Sequence, residues 1–178
     1  MERSQFSAPQ TDIADNAVAM AEELVNNFYK MSSAQWLHSR YDVKTLADLS
    51  SNEIVDGPFA QVIRYEGQRQ DMSLGSAAYD FYKICLQDHA IISVLARFEN
   101  IKLFPFALYI ITHELIHIVR FSKFLQSFEA STEEAMDEEK RVHRYTRDIL
   151  GTISVKGLPE VLNFYRKWQG PWDEVSTP

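Results

Sequence analysis

The most apolar stretch of the chain, Leu103–Thr112, runs into the ionisable residues His113 and Glu114 well before the roughly 18 to 20 residues that a membrane span requires. A segment this apolar has to be enclosed by protein, so it is the expected core helix of a soluble molecule. Pro105 suits the first turn of that helix, which is expected to run through His113 and His117 to about Phe124. With 178 residues, 46% of them apolar, there is enough material for one domain with a real core, taken as residues 1–178.

Charge narrows the partners. Lys and Arg number 18 against 25 Asp and Glu, giving a net charge of −7 and a sequence pI near 5.2. An acidic chain of this kind is a poor match for a phosphate backbone, so no nucleic acid partner is expected. Cys85 is the single cysteine, which excludes an internal disulfide and a Cys-rich metal site and reads as a small buried residue. Any metal must rest on His and carboxylate. Met1–Asp12 holds two acids and no apolar core segment, so no secretory signal and no membrane association are expected, and the default location is cytoplasmic.

Apolar residues recur mostly at three- and four-residue spacings, and Gly and Pro are few, which predicts a mainly α, compact fold with room for a small β-hairpin or sheet. A first helix is expected from a cap at Thr11 or Asp12 to about His38, with Ile13, Ala17, Met20, Leu24, Phe28 and Met31 inward. Short helical pieces follow, one around Val43, Leu46 and Leu49 and one opened by Asp56-Gly57-Pro58 and stopped by Gly67, then a linker over 68–75. Residues 76–99 are favoured as a helix; the alternative is a hairpin in which Tyr82, Ile84 and Leu86 alternate and Ile91–Phe98 returns. Two more helices are expected, one capped at Ser131 or Thr132 and ended by Gly151, and one opened by Gly157-Leu158-Pro159 that carries Val161, Leu162, Tyr165 and Trp168.

The chemistry concentrates in Thr112-His113-Glu114-Leu115-Ile116-His117, an H-E-x-x-H motif inside the apolar helix. Residues four apart share a helix face, so both imidazoles can reach one ion while Glu114 stands beside them to take a proton from a water. The wider segment Ile110–Val119, uncharged at both internal positions and apolar on both flanks, resembles the long signature of the zincin metallopeptidases. The resemblance implies zinc on His113 and His117, Glu114 as general base, a peptide or protein substrate, and a third protein ligand further along the chain. Arg120 and Lys123 occupy the places where metzincins carry Gly and a third His, so the likeness is instead to gluzincins, which take a Glu from a following helix.

In the helix expected over 131–150, Met136, Val142, Tyr145, Ile149 and Leu150 define the inward face, and Glu139 and His143 fall beside it. Glu139 ranks first as the carboxylate ligand, Glu138 second and Glu134 third. His143, four residues after Glu139, is read as an alternative ligand or as a group that orients one; the gluzincin pattern has an acid there. Plainer readings stand beside these. The acidic run at Glu133, Glu134, Asp137, Glu138 and Glu139 is also what a solvated helix start looks like. His113 and His117 would otherwise be hydrogen-bonded core imidazoles. Arg120 either serves the reaction, by clamping a substrate carboxylate or stabilising a developing oxyanion, or, the favoured reading, pairs with a Glu of the next helix. Tyr145 reads as a core aromatic before an oxyanion donor, and a ligand role for Asp88 or His89 is disfavoured. Trp36, Phe124 and Trp168 read as core or interface anchors.

Two other classes remain open. Glu114-x-x-His117 is also the element that di-iron carboxylate bundles repeat, with Glu22 or Glu23 and Asp80 or Asp88 as further ligands; a second copy is missing, and iron is less favoured than one zinc. A non-catalytic protein with a structural zinc closed by His113, His117, Glu139 and His143 is the third.

Overall fold

A computed structural model describes residues 2–32, 41–68, 78–123, 125, 127 and 129–167, and of residues 66–68 and 78–80 the backbone only. The described residues are mainly helical, with a small three-stranded sheet. The order is α1 (Ala8–Phe28), β1 (Tyr41–Lys44), two 3-10 turns (Leu46–Asp48 and Ser51–Glu53), β2 (Ala60–Gln68), β3 (Ala78–Leu86), α2 (Asp88–Arg97), α3 (Leu103–Ser122), α4 (Thr132–Leu150) and α5 (Leu158–Lys167).

The core forms around α3, of which every residue except Phe104 and Ser122 is buried. By length and composition α3 could cross a membrane, but it is enclosed by the rest of the protein. Its closest helical neighbour is α1, whose buried residues are Ala14, Ala17, Ala21 and Val25. Three alanines on one stripe let the two backbones approach closely. The inward face of α1 is therefore not the one centred on the large residues. Ile13, Met20 and Leu24 are only partly buried, and Phe28 is 43% exposed.

The ends of α1 also differ from expectation. It starts at Ala8 because Ser7 and Gln10 form a capping box with Pro at the first turn. It ends at Phe28, well short of His38, because Lys30 adopts a left-handed φ of 51°. The amides of Lys30 and Met31 then close on the carbonyls of Asn27 and Asn26, a Schellman cap without its usual glycine. Residues 33–40, with Trp36 and the expected end of the helix, lie outside the described residues, as do Phe124 and Trp168.

The largest correction is the sheet. The favoured helix over 76–99 is instead β3 followed by α2, and the piece expected to be helical after Asp56-Gly57-Pro58 is β2. β3 is the central strand, parallel to β1 and antiparallel to β2 in a nine-residue ladder from Ala60 opposite Leu86 to Gln68 opposite Ala78. Tyr82, Ile84 and Leu86 do alternate and are all buried, as in the outgoing strand of the hairpin alternative. The returning strand is absent: Ile91–Arg97 is helical, and the antiparallel partner lies upstream. The piece expected as a helix around Val43, Leu46 and Leu49 is β1 and a 3-10 turn.

Buried polar groups tie the turns to this sheet. Asp88 accepts from the amides of Phe6 (2.8 Å) and Leu46 (3.1 Å), and is thereby a structural anchor. Glu53 accepts from Lys83 Nζ and the Tyr65 hydroxyl, both at 2.7 Å, and from the Ser50 amide at 2.9 Å. The Lys83 ammonium, then the Ser50 amide, hold its carboxyl down to about 2 from an ordinary 4.5. Because the folded value lies below the unfolded one, this carboxylate contributes its full stabilisation above pH 4.5 and loses it as the pH falls toward 2. Urea unfolding of the wild type and Glu53→Gln is expected to give a stability difference that shrinks over that interval. A difference independent of pH would mean that Glu53 has no preferential pairing in the folded protein.

Candidate metal centre

The site lies where α4 packs on α3. The i,i+4 spacing puts His113 and His117 on one face of α3, and their Nε2 atoms stand 3.1 Å apart. α4 begins at Ser131, whose side chain and Glu134 form a capping box, and its buried face carries Glu138, Glu139, Val142, His143 and Thr146. Glu139 bridges the two imidazoles: Oε2 lies 3.1 Å from His113 Nε2 and Oε1 2.8 Å from His117 Nε2. His143 Nε2 is further away, 3.9 Å from Glu139 Oε2. His113, Glu139 and His143 can each offer a ligand atom within 4.8 Å of the others.

All four side chains are buried, so their charges are settled by one another. Burial favours neutral His113, but the Glu139 carboxylate outweighs it and raises the imidazole above its ordinary value. For Glu139, burial pushes the carboxyl up, while His117 and His113 more than reverse that and hold it well below the usual range. His143, unlike His113, is driven down, to about 2, by burial and then by the charge on His113.

Each expected site residue can now be located. Glu114 is buried beside His113, and its charge acts on both that imidazole and the Cys85 thiol. Cys85 is fully buried, and burial, then Glu53, push the thiol up to about 12, so it is an inert core residue. Glu138, ranked second as a ligand, is ion-paired with Arg120 and Arg141. Glu134 is exposed and spends its carboxylate on the Ser131 amide. The solvated-start reading therefore holds for Glu133, Glu134 and Asp137 and fails for Glu138 and Glu139. Met136, expected inward, is 43% exposed.

Arg120 takes the plainer of its two roles. Its guanidinium donates to Glu138 from both Nε and Nη2, and lies 5.6 Å from the ring centre of Tyr145, a partly buried aromatic packed on the core. His89 sits 3.2 Å from Asp56, and Asp88 is committed to backbone amides, so both side chains are engaged by other groups. Glu23 is exposed, Glu22 interacts with Tyr41, and the side chain of Asp80 lies outside the described residues. With β3 followed by α2 in place of the expected 76–99 helix, that segment does not supply one long helix to a di-iron carboxylate bundle.

Sequence reasoning passed over Tyr109, whose hydroxyl is 2.7 Å from His143 Nδ1 and whose ring stacks on Tyr165 with centroids 3.8 Å apart. The available signal was its spacing: Tyr109 is four residues before His113 and so shares its face of α3.

The donor set could hold a metal ion. Imidazole nitrogen and carboxylate oxygen are zinc ligands, and a tetrahedral site with bonds of about 2.0–2.2 Å separates its ligand atoms by about 3.3–3.6 Å. The observed separations of 2.8 to 3.1 Å need only a small outward shift to admit the ion. Compared with protein family models, curated proteins and solved structures, the chain gives no match.

Arg120 is expected to matter for folding and not for metal. Removing one partner of a buried ion pair costs about 3–5 kcal/mol, and Arg141 retains part of the compensation here. Arg120→Ala is therefore expected to lower unfolding free energy by about 2–3 kcal/mol, as read in urea, with metal stoichiometry unchanged. Loss of metal from a folded Arg120→Ala protein would place the guanidinium in the site instead.

Proposed function

We propose that the protein is a zinc-dependent hydrolase of the zincin type, gluzincin-like, that cleaves a peptide bond in a peptide or protein substrate. The observation that carries this reading is the convergence of His113, His117 and Glu139 within 2.8 to 3.1 Å, with Glu114 next to His113 on the same helix. The small sheet beside α3 supports it as well, since zincins combine a sheet with their active-site helix.

In this reading His113, His117 and Glu139 hold one zinc. Zinc with three protein ligands supplies a Lewis acid that brings the pKa of a water at its open position toward 7. Glu114, next to His113 on α3, would take up a proton from an attacking water and return it to the leaving amine. The surrounding apolar residues exclude competing solvent and strengthen each of these charge interactions.

A second reading is favoured by His143. Its ring lies against that of His113, with centroids 4.3 Å apart, and an advance of its Nε2 would close a four-ligand structural site without turnover. Cleavage of a peptide library by the zinc-loaded wild type separates the two, and Glu114→Gln tests the general base. As a hydrolase, the variant is expected to keep its zinc and lose cleavage of a peptide library by 10²-fold or more, on the order of a general base contribution. Retained cleavage would remove Glu114 from the reaction, and loss of zinc would make it a ligand or a support of one.

A further inference from the structure

We infer that Tyr109 is a positioning residue that fixes the tautomer of His143, so that His143 turns an N–H toward Glu139 and stays out of the coordination sphere. This rests on the metal-site reading above and specifies which of the converging residues bind the ion.

Two polar contacts of the His143 ring lead to the same proton position. On one side, Nδ1 is 2.7 Å from the Tyr109 hydroxyl. A phenol is a better donor than acceptor, and a neutral imidazole accepts at one nitrogen only, so the stronger bond runs from Tyr109 O–H to Nδ1. That leaves the ring proton on Nε2. On the other side, Nε2 faces Glu139 Oε2 at 3.9 Å. A carboxylate is an acceptor only, so a proton on Nε2 gives attraction where a lone pair would give repulsion. An imidazole with its proton on Nε2 has no lone pair there for a metal. It acts instead on the carboxylate that bridges His113 and His117.

Packing holds the donor in place. Tyr109 is fully buried on α3, and its ring lies nearly parallel to that of Tyr165, at 12°. His143 is flanked by the same two tyrosines, with centroids 5.9 Å from Tyr109 and 5.6 Å from Tyr165. Tyr109→Phe removes only the hydroxyl and preserves the stack.

The test is long-range proton–nitrogen NMR of the imidazoles in the full chain, before and after adding zinc, in the wild type and Tyr109→Phe. The wild type is expected to hold His143 with Nε2 protonated in both states, while His113 and His117 shift on zinc addition. In Tyr109→Phe, His143 is expected to lose its fixed tautomer and zinc Kd to weaken by about tenfold, the low end for groups behind metal ligands. A shift of all three imidazoles on zinc addition would overturn this role alone, as would an unchanged His143 tautomer in Tyr109→Phe. A shift of none would overturn the metal-site reading and this role with it.

Discussion

The Glu139 carboxylate, buried between His113 and His117, is the interaction on which the rest of the molecule depends. An unpaired carboxylate in an apolar interior would take up a proton or unfold its surroundings, because the cost of burying a bare charge far exceeds what one contact returns. Here two imidazoles on one helix face meet it from a neighbouring helix, and the three groups are compatible only at one relative placement of α3 and α4. The same helix pair is locked a second time by Arg120 and Glu138. The two locks differ in character: one is an ion pair complete in itself, and the other is a cluster of donors that could hold a cation.

α3 can carry such a load because it is surrounded. The alanine stripe of α1 brings one backbone close, the sheet packs nearby, with the Tyr82 ring parallel to that of Phe121, and α5 contributes Tyr165 against Tyr109. These contacts restrict the helix that holds His113 and His117 to one position. In that sense the fold is a frame for a few atoms on α3 and α4, with the buried anchors Asp88 and Glu53 tying the turns between strands to the frame.

Much of the site was legible in the sequence because its signals are local. The i,i+4 histidines and the placing of Glu139 beside the inward face of α4 follow from helix periodicity, and the cap at Ser131 or Thr132 from the residue types that end a helix. The favoured choice among three acids agrees with the residue that meets the histidines. What was not legible depends on partners distant in sequence. Residues 60–68 and 78–86 are strands because they pair with each other along nine positions, and that pairing outweighs the helical spacing of Val62, Ile63 and the polar arc of 76–99. The end of α1 was missed because Lys30 takes a left-handed conformation normally signalled by glycine. Tyr109 was hidden in an apolar run, where its hydroxyl matters only once α4 brings His143 against it.

The most direct measurement is a crystal structure of zinc-loaded protein with anomalous difference data collected at the zinc edge. One strong peak is expected between α3 and α4, with His113 Nε2, His117 Nε2 and a Glu139 oxygen each at about 2.0–2.2 Å. A peak elsewhere, or none at that position after loading at a molar excess of zinc, would contradict the assignment and reduce the motif to a packed and hydrogen-bonded pair of histidines.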